Sequence, residues 1–250
     1  MKMLFLPLCS VLLLIACGSD EIHELTETKP NYFPDAIGSR WVYQNADGSK
    51  WTREITDGND SEEKDYQTFT YIPPVSEAEI DFLKSKSFRV AQNQIFFDIG
   101  EKIDNYIQTD LLTSVKDEFE GLEINVAFEP IPLSELLFFQ IPLTANSQWD
   151  ALDIKVNGNI MLQNLTLLQF PFEVHFNIKG EVISQDTIET PAGRFENTFE
   201  VKYSTKIVQT VLSNEESTVN NQTIWFVPHV GIVRMEDERG VTELIEYVLK

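Results

Sequence analysis

The sequence predicts an all-β protein, a meander of long hairpins with at most one or two short helices. Three observations carry this. Run after run alternates apolar and polar residues with a period of two, the signature of a strand with one face buried. Turn residues (Asp-Gly, Asn, Pro-Ala-Gly, Arg-Gly) fall between those runs. No long stretch keeps helical spacing. The composition supports a folded body: 42% of the 250 residues are hydrophobic and 17 are Phe, far from the apolar-poor make-up of a disordered chain.

The folded body begins at Tyr32-Phe33-Pro34. Ser39 to Asn45 alternates around Trp41 and Tyr43, and Trp51, Arg53 and Ile55 follow Asp47-Gly48. Asp-Gly between alternating runs is a strong hairpin signal, because a primed turn needs positive φ. Asp57 to Asp65 reads as a longer acidic turn; its acids loosely match a calcium loop, but the glycine and closing Glu of such a loop are missing. Tyr66 to Ile72 alternates and stops at Pro73-Pro74. Ser76 and Glu79 form a capping box for a short helix to about Lys84. Phe88 to Ala91, Gln94 to Ile99 and Ile103 to Thr109 read as three short strands.

Leu122 to Phe128 alternates until Pro130 and Pro132. Ser134 to Phe139 fits one helical turn or a buried strand. Ile154 to Leu168 and Phe172 to Ile188 read as long strands joined near Phe170-Pro171. Thr190 to Gly193 is a turn, and Phe195 to Thr205 and Lys206 to Leu212 continue the pattern. Asn214 to Asn221 reads as a polar hairpin tip. Thr223 to Val227, Ile232 to Glu236 and Thr242 to Val248 complete the sheet. Pro34-x3-Gly38-x2-Trp41 and Pro142-x3-Asn146-x2-Trp149 share one spacing. Gly and Asn are the residues most tolerant of positive φ, so one bend leads twice into a Trp-bearing strand. The single domain of residues 32–250 would then divide into two similar halves, near 32–140 and 141–250.

The first residues have a separate purpose. Lys2 precedes an apolar run from Met3 to Ile15, and small residues flank Cys17. This is the layout of a cleaved export signal, too short for a bilayer span of about 20 residues. Leu14-Ile15-Ala16-Cys17 resembles the lipobox of bacterial lipoproteins. The resemblance implies removal of residues 1–16, a diacylglycerol thioether on Cys17, and further acylation, for instance by palmitate. Two or more chains anchor a protein stably, where one holds it only reversibly. Residues 17–31 read as a polar tether with a coil span of about 20 Å. Gly18, rather than Asp, after the cysteine implies an outer-membrane destination in a Gram-negative cell. Once Cys9 leaves with the signal, no intramolecular disulfide is available, and stability rests on the core.

The formal net charge is −21. Such a surface repels nucleic acid and anionic headgroups, so no nucleic-acid partner is expected and attachment falls to the lipid on Cys17.

Phe33-Pro34-x3-Gly38-x2-Trp41, Thr190-Pro191-Ala192-Gly193-Arg194-Phe195 and Trp225-Phe226-Val227-Pro228-His229-Val230-Gly231 are similar to the opening and closing patterns of many bacterial lipoproteins. The resemblance implies a large curved antiparallel sheet, a half-barrel or sandwich comparable to periplasmic lipoprotein carriers. It implies no catalytic residue.

The residues themselves offer no constellation for chemistry. His175 lies mid-strand on the polar face and His229 in a turn, without a G-x-S-x-G elbow. No His or Cys spacing suggests a metal, and no cofactor motif is present. Glu215-Glu216 and Glu236-Asp237-Glu238 read as solvated edge charge. Trp41, Tyr43, Trp51, Trp149 and Trp225 read as core aromatics. The remaining reading is a non-catalytic binding module. The dense Phe and Leu of the middle region suggest an apolar groove formed by Leu136, Phe138, Phe139, Leu165, Leu167 and Phe170, taking a hydrophobic or lipid ligand. The alternatives are an envelope protein that holds a protein partner through a sheet face or edge and, with least support, a carbohydrate or peptide hydrolase.

Overall fold

A computed structural model of the chain describes residues 31–56, 60–61, 64–74, 81–113, 115, 123–129, 131, 135–162 and 169–250. The signal, Cys17, the tether up to residue 30, most of the acidic turn and Ser76 lie outside the described residues. The fold is all-β, a single large open antiparallel sheet.

Two six-stranded meanders build the sheet. The first runs through β1 (Arg40–Asn45), β2 (Lys50–Thr56), β5 (Gln67–Ile72), β6 (Ser87–Ala91), β7 (Gln94–Asp98) and β9 (Glu135–Gln140). β3 (Asp60–Ser61) and β4 (Lys64–Asp65) form a minimal ladder of their own. The second meander runs through β10 (Gln148–Leu162), β11 (Gln169–Thr190), β12 (Gly193–Val211), β13 (Asn214–Val227), β14 (Gly231–Asp237) and β15 (Gly240–Val248). β15 pairs with β1 and joins them, while β8 (Ile124–Phe128) adds to the outer edge of β10. Turn chemistry matches the expected breaks. Gly48 takes φ of 84°, and Asp47 Oδ1 accepts from Ser49 N–H and Oγ–H at 2.9 and 2.6 Å.

The sheet curls until its ends meet. β9 crosses the start of β10, where the Trp149 indole N–H donates to the Leu137 carbonyl at 3.0 Å. The Tyr203 hydroxyl of β12 donates to the Phe138 carbonyl. Phe33 plugs the enclosed volume, meeting Phe88, Phe138, Phe139 and Phe226 at centroid distances of 5.4 to 6.3 Å.

Several expectations are corrected. Ile103 to Thr109 is not a strand. Gly100–Tyr106 is α-helix (α1), widening to a π-type turn over Ile107–Leu111. Ile103, Ile107 and Leu111, four residues apart, are fully buried, which is helical and not strand spacing. Tyr106 meets Phe176 edge-on at 5.4 Å and accepts from the Gln209 amide, so the helix lies against the concave face of β11 and β12. Phe170-Pro171 does not end a strand: both lie within β11, opposite Ile160 and Asn159. β12 runs unbroken through Thr205-Lys206. Asn214 to Asn221 is strand; the turn is Leu212-Ser213, with φ of 50° and 73°. The turn at Phe82–Lys84 is capped by Asp81, whose Oδ1 accepts from Leu83 N–H at 3.1 Å. Glu135–Gln140, which fitted two states, is strand.

The two Pro-x3-[Gly/Asn]-x2-Trp stretches make the same bonds. Gly38 and Asn146 take φ of 85° and 63°. Ser39 N–H donates to Ala36 O, and Ser147 N–H to Thr144 O. Gly38 N–H donates to Ile55 O while Ile55 N–H returns to Ser39 O; Asn146, Val182 and Ser147 repeat that exchange. Each Trp indole then donates to a carbonyl on another strand or turn, Val230 for Trp41 and Leu137 for Trp149.

Candidate binding cavity

A cavity of about 640 Å³ opens at one end of the curled sheet, within the size range of small-molecule sites. Its inner wall is mixed: Phe82 and Leu83 from the capped turn, Leu136 of β9, Ile178 of β11, and Tyr203, Thr205 and Ile207 of β12. These face inward because alternate residues of β11 and β12 share the concave face. The Tyr203 phenol is pushed well above its ordinary value by burial. It therefore stays protonated and keeps its bond to Phe138.

The mouth is polar and acidic, formed by Asp110 at the end of the helical segment, the β13 edge, and Asp237, Glu238 and Arg239 at the β14–β15 turn. A charged network braces it. Asp81 Oδ2 takes Lys84 Nζ at 3.4 Å and Arg239 Nη2 at 3.3 Å. Asp237 Oδ2 takes Arg239 Nε at 2.9 Å as well as its Nη2, and Oδ1 accepts the Arg239 N–H at 2.8 Å. Asp81 is buried, so this pairing is what makes its charge tolerable. Burial holds the Lys102 ammonium below its ordinary value, with the Asp81 charge opposing that shift. The network ties the Phe82–Lys84 turn to the β14–β15 turn and fixes two sides of the mouth.

The proposed groove residues divide. Leu136 lines the cavity. Phe138 and Phe139 are fully buried in the aromatic core beside it: Phe138 stacks on Phe97 at 4.4 Å and Tyr203 at 5.6 Å, and Phe139 meets Phe226 at 4.8 Å. A bulge explains why consecutive residues are both buried. Ile95 pairs with Phe139 and Phe96 with Leu137, leaving Phe138 as the extra residue. Phe170 is partly buried and packs against the core. Leu165 and Leu167 lie outside the described residues.

The other candidates lie elsewhere. His175 sits on the convex face, its Nε2 2.7 Å from Asp153 Oδ1. His229 occupies a turn at φ of 66°, with its ring edge-on to Tyr32. Trp41 and Tyr43 are core, and Trp51 stacks on Tyr43 at 4.4 Å. Among the described residues, no group of three His, Cys, Asp or Glu is placed to hold a metal ion. No helix among them is long and apolar enough to cross a membrane.

Sequence reasoning missed Asp81, Tyr203, Ile207 and Arg239 as parts of one site. They come from three places in the chain, Asp81, β12 and the β14–β15 turn, across more than half of its length, and no local pattern links them.

No protein-family model and no curated protein matches the chain. Two solved structures are similar to it. One is a Bacteroides fragilis protein assigned as exported with a YmcC-like fold, at 14% identity and a TM-score of 0.41, covering 88% of this chain and 99% of that one. The other, from Parabacteroides distasonis, is assigned as a lipoprotein, at 17% identity and a TM-score of 0.39, with the same coverage.

Proposed function

We propose that this chain is a lipid-anchored protein of the cell envelope whose β body is a non-catalytic binding module for a hydrophobic or lipid ligand. One observation carries the binding reading: a cavity of about 640 Å³ with an apolar patch of Phe82, Leu83, Leu136, Ile178 and Ile207 inside a braced polar mouth. This is the usual build of a small-molecule site, a greasy interior with a few orienting polar groups. The anchor rests on Leu14-Ile15-Ala16-Cys17. Acylation there would hold the protein to the membrane even though its surface is acidic.

Organic extraction of the purified protein followed by mass spectrometry tests the ligand. A recovered apolar compound, together with binding of phenylnaphthylamine that Ile207→Trp weakens at least about tenfold, supports the reading. Absence of both overturns it. For the anchor, Cys17→Ser is expected to abolish palmitate labelling and detergent partitioning. A second reading, an envelope protein that holds a protein partner, is favoured by the open strand edge at the cavity mouth.

A further inference from the structure

Among the described residues, β13 is paired on one side only over part of its length. From Asn214 to Gln222 it pairs with β12; its pairing with β14 begins at Thr223, opposite Glu236. The two-residue turn Leu212-Ser213 makes Val211 and Asn214 a hydrogen-bonded pair. Bonded and non-bonded pairs then alternate along the hairpin. Val219 and Asn221 are therefore non-bonded with β12, and their N–H and C=O groups point out along the open edge. Four consecutive residues, Val219 to Gln222, border the cavity. Successive side chains point to opposite faces, so a run of four means that the backbone edge itself faces the opening. Val219 is 55% exposed.

We propose that this edge is a docking site for an extended peptide segment of a partner, bearing basic and apolar side chains, which adds as a strand to β13. The backbone supplies unpaired donors and acceptors at the register a new strand needs. The cavity beside it takes apolar side chains. Asp110 and Glu238 at the mouth, with Glu215 and Glu216 along the same strand, complement a basic segment. The same acids, on a chain of net charge −21, oppose pairing with a second copy through this edge. The proposal rests on the cavity used in the ligand reading above but also requires backbone pairing, which N-methylation of the peptide tests separately from phenylnaphthylamine binding by the wild-type protein.

The test is fluorescence anisotropy with a short labelled peptide mixing Lys with Leu and Val. The wild-type protein is expected to bind it, more weakly as salt rises. N-methylation of alternate peptide amides is expected to weaken binding about tenfold or more, as is replacing Lys by Glu. Val219→Pro removes an outward N–H without touching a β12 bond, and is expected to lose the peptide while keeping the wild-type far-ultraviolet circular dichroism spectrum. The proposal is overturned if the Lys peptide does not bind, if the methylated peptide binds equally well, or if folded Val219→Pro binds unchanged. Sedimentation showing a dimer that Val219→Pro abolishes would also overturn it, by giving the edge to a second copy. Since the methylated peptide is tested on unmodified protein, a misfolded variant does not remove the test.

Discussion

The indole of Trp149 lies directly on Gly180, its paired partner across β10 and β11; a Cβ on Gly180 would stand 2.3 Å from the ring. That contact lets the Trp149 N–H reach the Leu137 carbonyl and close one end of the sheet onto the other. The clashing atoms belong to a rigid indole, not to the tip of a flexible side chain. Gly180→Ala is therefore expected to destabilise by about 1–3 kcal/mol through overpacking, and Gly180→Val by more. Denaturant melts check this; an unchanged midpoint for Gly180→Ala would show that the ring is free to move aside.

Gly38 and Asn146 perform the same bend in front of Trp41 and Trp149, but only one is glycine. Gly38→Ala is expected to cost about 1–2 kcal/mol, the penalty of a Cβ at positive φ. Asn146→Gly is expected to lie within about 0.5 kcal/mol of wild type, since glycine relieves strain there but adds unfolded-state freedom. Thermal denaturation of the two variants checks the pair.

Arg53 is buried among aromatic rings, its guanidinium carbon 5.2 Å from the Trp41 centroid and 4.6 Å from that of Phe69. Its Nη2 meets the Tyr43 hydroxyl at 3.4 Å, its Nε finds no hydrogen-bond partner, and no carboxylate pairs with it among the described residues. A buried cation held only by neutral groups and ring faces is poorly compensated. Arg53→Met is expected to be neutral or stabilising by about 1–3 kcal/mol. A loss of more than about 2 kcal/mol by chemical denaturation would show that the aromatic cage outweighs desolvation.

Burial raises the phenol pKa of Tyr43, Tyr71 and Tyr203 above its ordinary value near 10. The sign follows from the protons bound. Below the unfolded value both states hold the proton and stability is intact; above it only the unfolded chain ionises. Stability is expected to fall as pH rises from about 10 toward the folded values, by about 1.4 kcal/mol per pH unit for each such tyrosine. Tyrosinate absorbance followed against far-ultraviolet circular dichroism checks this: the three phenols should titrate together with unfolding, and Tyr203→Phe should shallow the slope.

Strands were legible wherever one face is buried and the other wet, as in Val174, Phe176 and Ile178 against His175, Asn177 and Lys179. So were the glycine turns at positive φ, such as Gly48 and Gly240, but not the Leu212-Ser213 turn, whose residues carry no glycine or Asn signal. The segment Ile103 to Leu111 was misread as a strand because its apolar run is short, although its buried residues recur every four positions. The polar stretch after Leu212 looked like a loop because both of its faces are exposed, and a strand with no buried face leaves no period to read.

By itself the sequence determined the acidic composition, the all-β class and the bend repeated before two tryptophans, and it holds the lipobox-like stretch on which the proposed anchor rests. Each depends on residues close together in the chain. Only the tertiary structure decided that Leu136 borders a cavity while Phe138 and Phe139 fill the core. It alone brought Asp81 to Arg239 and left β13, among the described residues, open beside them. Those outcomes follow from how far a twisted sheet curls before its ends touch, and that is set by a bulge in β9 and by contacts such as Tyr203 to Phe138 between strands far apart in the chain.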